Sequence, residues 1–129
     1  MHILIADDDA NYREFATRLF AKWPEHQLTL CEDGREAWGL LDDPKRWFDV
    51  VLLDVNMPRL TGLDVLKRLR ESVLHKSLEI VMCTAHNDRA TITEAIGLGA
   101  RHYLVKPYTE KVLADKLKQI EQKRATEAR

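Results

Sequence analysis

An α/β domain with a doubly wound, five-stranded parallel sheet is the fold the sequence predicts, on three observations. Short apolar runs rich in β-branched residues alternate along the chain with segments of helical periodicity. The run Val50-Val51-Leu52-Leu53 is continuously apolar, as a strand buried on both faces must be. Charged or hydroxyl residues close these runs, at the edge where open parallel sheets place their ligands.

The elements follow in order. Residues 2–6 (His-Ile-Leu-Ile-Ala) form a first strand, stopped by Asp7-Asp8-Asp9. A helix follows from Ala10 to Lys22, with Phe15, Ala16, Leu19, Phe20 and Trp23 on one side, Asp9 as its cap and Pro24 beyond its end. Gln27 to Cys31 is a second strand, and Asp33-Gly34 turns into a short helix through Ala37, Trp38, Leu40 and Leu41 that Pro44 terminates. Val50–Leu53 is the third strand, and Thr61-Gly62 opens a helix carrying Leu63, Leu66, Leu69 and Val73. Leu78 to Cys83 is a fourth strand, ending at Thr84-Ala85. The segment from Asp88 to Leu98 is a helix with Ile92, Ala95 and Ile96 inward, and Gly97 or Gly99 marks its exit. Arg101 to Val105 is a fifth strand, halted by Lys106-Pro107. A last helix from Thr109 packs through Val112, Leu113, Leu117 and Ile120. Beyond Ile120 the only apolar side chains are Ala125 and Ala128, so residues 121–129 are expected to fray. Strands that alternate with helices in this way require right-handed crossovers.

Composition narrows the function. At 129 residues the chain is one domain with room for a real core. A net charge of -1 argues against a general binder of nucleic acid or of membrane surfaces. Cys31 and Cys83 sit in separate strand-like runs without metal-ligand spacing, which suits small core thiols in a reducing cytoplasm. No signal-peptide pattern opens the chain, and no segment has the length of a transmembrane helix. His2, His26, His75 and His102 share no ligand spacing, so no transition-metal site is expected. Trp23, Trp38 and Trp47 are read as packing residues of helices and loops.

The strand ends carry the chemistry. Asp7 and Asp8 close the first strand, Asp54 the third, Thr84 the fourth and Lys106 the fifth, and parallel strands bring all of them to one edge. Carboxylates about 5 Å apart repel by about 3 kcal/mol per ionised pair at an effective dielectric near 20. A cation relieves that cost, and an all-oxygen set with open positions suits Mg²⁺. Lys106 adds a positive charge and Thr84 a hydroxyl donor, both matched to phosphoryl oxygens. Together with a carboxylate nucleophile they compose a phosphoryl-transfer site.

The set Asp7-Asp8, Asp54 with Met57-Pro58 and Gly62, Thr84-Ala85 and Lys106-Pro107 resembles the receiver domain of bacterial response regulators, from Ile3 to about Ile120. The resemblance implies a flavodoxin-like sheet of order 2-1-3-4-5 and a cis Lys106–Pro107 peptide. It makes Asp54 the phosphoacceptor, with Lys106 and Thr84 on the phosphoryl oxygens. Mg²⁺ falls to Asp8, Asp54 and the Asn56 backbone carbonyl directly, and to Asp7 through water. Asn56 and His86 take the two variable positions that tune phosphoryl lifetime, and Thr84 and Tyr103 form the switch. The implied partners are a histidine kinase or histidine phosphotransfer protein, and an effector that reads the fourth helix, fifth strand and fifth helix; neither nucleic acid nor membrane is a direct partner. The domain would span residues 1–121, followed by a polar helical tail over 122–129. It would be a signalling phosphoacceptor that catalyses only its own phosphoryl transfer and dephosphorylation.

Rival readings lack residues. A hydrolase of the haloacid-dehalogenase type needs an acid two residues after the nucleophile, where this chain has Asn56. A flavin or nucleotide module wants a Gly-rich phosphate loop after the first strand, where Asp7-Asp8-Asp9 would repel phosphate. A degenerate receiver acting as a phosphorylation-independent scaffold is the remaining alternative, and the complete acidic pair, Asp54, Thr84 and Lys106 count against it. In one large class of DNA-binding regulators an Asp before the switch aromatic pairs across a dimer; Arg101-His102 stand there instead. Stand-alone receiver, phosphorelay intermediate and N-terminal domain of a larger regulator all fit the sequence equally.

Overall fold

The computed structural model describes residues 1–85 and 88–127. Its strands are β1 (His2–Ala6), β2 (Gln27–Cys31), β3 (Val50–Asp54), β4 (Glu79–Ala85) and β5 (His102–Lys106). The α-helices are α1 (Ala10–Ala21), α2 (Gly34–Leu41), α3 (Gly62–Glu71), α4 (Arg89–Gly97) and α5 (Glu110–Glu127), and a short 3-10 turn covers Val73–His75. All strand pairs are parallel, in the order β2-β1-β3-β4-β5. The expected α/β sheet and strand order are thus present.

β3 lies mid-sheet and is buried throughout. Its side chains alternate between two cores, as a pleated strand requires. Val50 and Leu52 join Leu19 and Phe20 of α1 and Leu113 and Leu117 of α5 on one face. Val51 and Leu53 join Ala37 of α2, Val65 and Leu66 of α3 and Ala95 of α4 on the other. Each fully buried aliphatic side chain contributes about 1.5–3 kcal/mol relative to exposure.

Side-chain caps set the helix starts. Asp9 accepts from the Asn11 amide, Asp33 from Glu36, and Thr61 and Asp64 form a reciprocal capping box. Gly99, at φ +91°, turns the chain from α4 toward β5.

Several helix assignments fail. Val73 is 75% exposed, because α3 ends before it and the chain tightens into the 3-10 turn. Ile96 and Val112 are 56% and 44% exposed, because α4 buries only Ala95 and α5 seats the narrower seam Leu113, Leu117, Ile120. Trp47 is also largely solvent-facing. The expected fraying after Ile120 does not occur through Glu127. Lys123 Nζ meets Glu79 at 3.1 Å, and Arg124 reaches Asp49 at 2.9 Å and the Ser77 carbonyl at 3.0 Å.

Candidate phosphoacceptor site

The C-terminal ends of the strands gather the predicted residues. Asp54 and Lys106 are the last residues of β3 and β5, Thr84 is the penultimate residue of β4, and Asp7 and Asp8 directly follow β1. Asp7 still donates its amide to the Cys31 carbonyl at 3.1 Å, extending the β1–β2 ladder, while its own carbonyl accepts from Arg13 Nη1 at 2.8 Å. After β3 the chain folds back, with the Gly62 amide donating to the Val55 carbonyl at 3.0 Å. A Cβ at Gly62 would collide with the Asp54 carbonyl, so glycine is what lets α3 begin there. Arg59 holds φ +71° and reaches Asp33 at 2.8 Å, tying this loop to the start of α2.

Asp7, Asp8 and Asp54 each offer a carboxylate oxygen, all within 4.8 Å of one another. Asp7 and Asp54 are only 2% and 7% exposed, whereas Asp8 opens to solvent. Lys106 Nζ lies 2.7 Å from Asp7 Oδ2 and 3.3 Å from Asp54 Oδ2. Burial pushes the Asp54 carboxyl up to about 7; Lys106 opposes this and Asp7 adds to it. Burial works to lower the Lys106 ammonium, but its hydrogen bond to Asp7 and the charge of Asp54 outweigh that and raise it.

The Lys106 ammonium meets two of the three clustered carboxylates, so the ionised cluster is left with negative charge and solvent access at Asp8. Hard oxygen donors in that state fit a small divalent cation. The Asn56 amide donates to Asp54 Oδ1 at 3.3 Å, and its carbonyl accepts no hydrogen bond among the described residues.

Thr84 is 1% exposed, and its hydroxyl has no hydrogen-bond partner among the described residues. A buried hydroxyl left without a partner costs about 1–3 kcal/mol. Thr84 also lines a small apolar cavity beneath α4 with Val55, Ile92, Ala95 and Tyr103. The Tyr103 ring stands 49% exposed beside that space. His86 lies outside the described residues.

Lys106–Pro107 is cis. Cys31 and Cys83 are unbridged and buried, and burial pushes each thiol up to about 12, which keeps both unreactive at neutral pH. A cavity of about 530 Å³ lies at the opposite ends of β4 and β5 among Arg70, Glu79, Arg101 and Arg124, and no predicted site residue lines it.

Sequence reasoning missed Tyr12 and Tyr108. Tyr12 places its ring 4.2 Å from Lys106 Nζ and 5.4 Å from the Tyr108 ring. An aromatic in the first turns of an amphipathic helix carries no local sign of such a long-range contact.

Comparison with known proteins agrees with this geometry. The family model described as "Response regulator receiver domain" matches residues 3–118. Chemotaxis protein CheY1 of Helicobacter pylori is 32% identical over 123 residues, covering 93% of this chain and 96% of that protein. Chemotaxis protein CheY-3 of Vibrio cholerae is 37% identical over 120 residues, covering 93% and 91%. The solved structure of chemotaxis response regulator CheY4 of Vibrio cholerae superposes with a TM-score of 0.82 at 29% identity, covering 92% of this chain and 97% of that one. With the sheet order, the acidic cluster and the family match in agreement, the chain belongs to the response regulator receiver domain family.

Proposed function

We propose that Asp54 accepts a phosphoryl group from a phosphohistidine on a histidine kinase or histidine phosphotransfer protein. The observation that carries this reading is a buried Asp54 carboxylate set against Asp7, Asp8 and Lys106 at the sheet edge. An Asp54 oxygen forms the new P–O bond as the P–N bond breaks, and the imidazole leaves with the electron pair and takes up a proton from solvent. Lys106 donates to one phosphoryl oxygen and the Thr84 hydroxyl to another, where negative charge collects. Asp8, Asp54 and the Asn56 carbonyl would hold Mg²⁺ directly and Asp7 through water. The cation supplies neutralisation of the carboxylate and phosphoryl charges. Asn56 and His86 tune access of the hydrolytic water.

Thr84 and Tyr103 relay the modification. A phosphoryl group adds acceptor oxygens that draw the Thr84 hydroxyl toward Asp54, and the Tyr103 ring fills the space vacated beneath α4. An effector then reads α4, β5 and α5, whose exposed Ile96, Tyr103 and Val112 supply apolar contact. Residues 1–121 make up this phosphoacceptor unit, which turns over no outside substrate. Among the described residues no helix is long and apolar enough to cross a membrane. A cytoplasmic place follows from the proposed kinase partner.

The test is reaction with acetyl phosphate and Mg²⁺, followed by mapping of the modified residue. Label on Asp54, lost in Asp54→Asn and in excess chelator, is expected; full labelling of Asp54→Asn elsewhere defeats the reading. Asp8→Ala should slow the reaction more than Asp7→Ala. Thr84→Ala should blunt the beryllofluoride-induced amide shifts in residues 88–118 more than it slows labelling.

A further inference from the structure

We propose that Tyr12 is a positioning residue for Lys106, an aromatic rest that keeps the ammonium at the site when the carboxylates are otherwise engaged. This role rests on the reading of Asp54 as phosphoacceptor. Lys106 Nζ meets Asp7 Oδ2 at 2.7 Å, Asp54 Oδ2 at 3.3 Å and the Tyr12 ring at 4.2 Å from its centroid. The ring distance is well inside the roughly 6 Å over which a cation is drawn to an aromatic face.

The contacts differ in what can displace them. A hard cation drawn to the acidic cluster competes with the ammonium for carboxylate oxygens, and a phosphoryl group on Asp54 removes one of them as a partner. An aromatic face is no ligand for a hard cation. The ring contact therefore survives the events that disturb the other two, at the stage when the ammonium is needed on a phosphoryl oxygen.

The ring is itself held. Tyr12 and Phe15 lie three residues apart on α1 and share a face. Their rings stand 5.4 Å and 6.1 Å from that of Tyr108, which is 7% exposed. Tyr108 follows Lys106 by two residues, so the loop that carries the lysine is fastened to the ring on which the lysine rests. The Tyr12 hydroxyl makes no hydrogen bond among the described residues, which leaves the ring face as the working part. Simple packing between α1 and the loop is the competing account, and leucine would satisfy it as well as phenylalanine.

The experiment compares Tyr12→Phe and Tyr12→Leu in the full chain. Without added metal, the Lys106 side-chain ¹H and ¹³C resonances should show an upfield ring-current displacement in the wild type and in Tyr12→Phe, and lose it in Tyr12→Leu. With saturating Mg²⁺ and acetyl phosphate, labelling of Asp54 should slow by about three- to tenfold in Tyr12→Leu. Phenylalanine should restore most of that rate, while the thermal midpoints of the two variants stay close. Equal rates in the two variants, or a wild-type Lys106 without ring-current displacement, would overturn the role. Absence of label at Asp54 in the wild type would instead bring down the phosphoacceptor reading, and the ring-current measurement on Lys106 separates that failure from this one.

Discussion

Replacing Asp54 by asparagine should stabilise the cation-free protein, increasingly so as pH rises. Burial, reinforced by Asp7 and opposed by Lys106, moves this carboxyl from 3.8 to about 7. Between those values the unfolded chain has released its proton while the folded chain keeps it. The folded state binds the extra proton, so stability falls as pH rises through this window. Roughly three pH units at 1.36 kcal/mol each amount to a loss on the order of 4 kcal/mol between about pH 4 and pH 7. Asparagine does not titrate and escapes that loss. A constant offset runs the other way: Lys106 exchanges the Asp54 carboxyl oxygen at 3.3 Å for an amide oxygen while keeping Asp7 at 2.7 Å, a cost of about 1 kcal/mol at most. The pH slope of the difference is therefore the diagnostic quantity. Urea unfolding of both proteins in chelator from pH 4.5 to 8 measures it, since the other titrating groups cancel in the difference. The advantage of the variant should grow by at least about 2 kcal/mol across this range and shrink when Mg²⁺ is added, because a cation favours ionised Asp54. A difference that stays flat with pH would refute the assignment of a proton to the buried carboxyl.

Three further outcomes are expected. Thr84→Val keeps the side-chain shape and removes a buried hydroxyl without a partner among the described residues, so its urea midpoint should rise by the equivalent of about 1 kcal/mol. Gly62→Ala sets a Cβ against the Asp54 carbonyl and 3.0 Å from Val55 Cα, which should cost about 2 kcal/mol in urea unfolding and weaken cation binding by displacing Asp54. Arg124→Ala breaks the contacts to Asp49 and to the Ser77 carbonyl, which should cost about 1 kcal/mol and speed amide exchange over residues 122–127; unchanged exchange would show that the helix end needs no anchor.

The sheet and its reactive edge were legible because they rest on short-range patterns. Four buried apolar residues ending in Asp54 announce a central strand, and parallel topology alone carries Asp7, Asp8, Thr84 and Lys106 to the same edge. What escaped depends on contacts between distant segments. Ile96 and Val112 keep the helical period of the buried stripe yet face solvent, because the width of a buried seam is set by the opposing surface. Lys123 and Arg124 look like solvated tail charges until Glu79 and Asp49, far back in the chain, prove to be their partners. The Tyr12–Lys106 contact joins α1 to the end of β5 and leaves no trace in local spacing.

The sheet order has a consequence for the timing of folding. Asp7 and Asp8 follow β1 and Asp54 ends β3, neighbouring strands joined only through a long crossover. Until those strands pair, Asp54 is far from Asp7 and Asp8, and its repulsion with them is absent. The electrostatic cost of the site therefore falls on the assembled state, and so does the relief a cation brings. Mg²⁺ should then act as a brake on leaving the native state and leave the rate of reaching it unchanged. In stopped-flow measurements the unfolding limb should drop with added Mg²⁺ while the refolding limb stays in place. Faster refolding would mean that the carboxylates already stand together at the barrier.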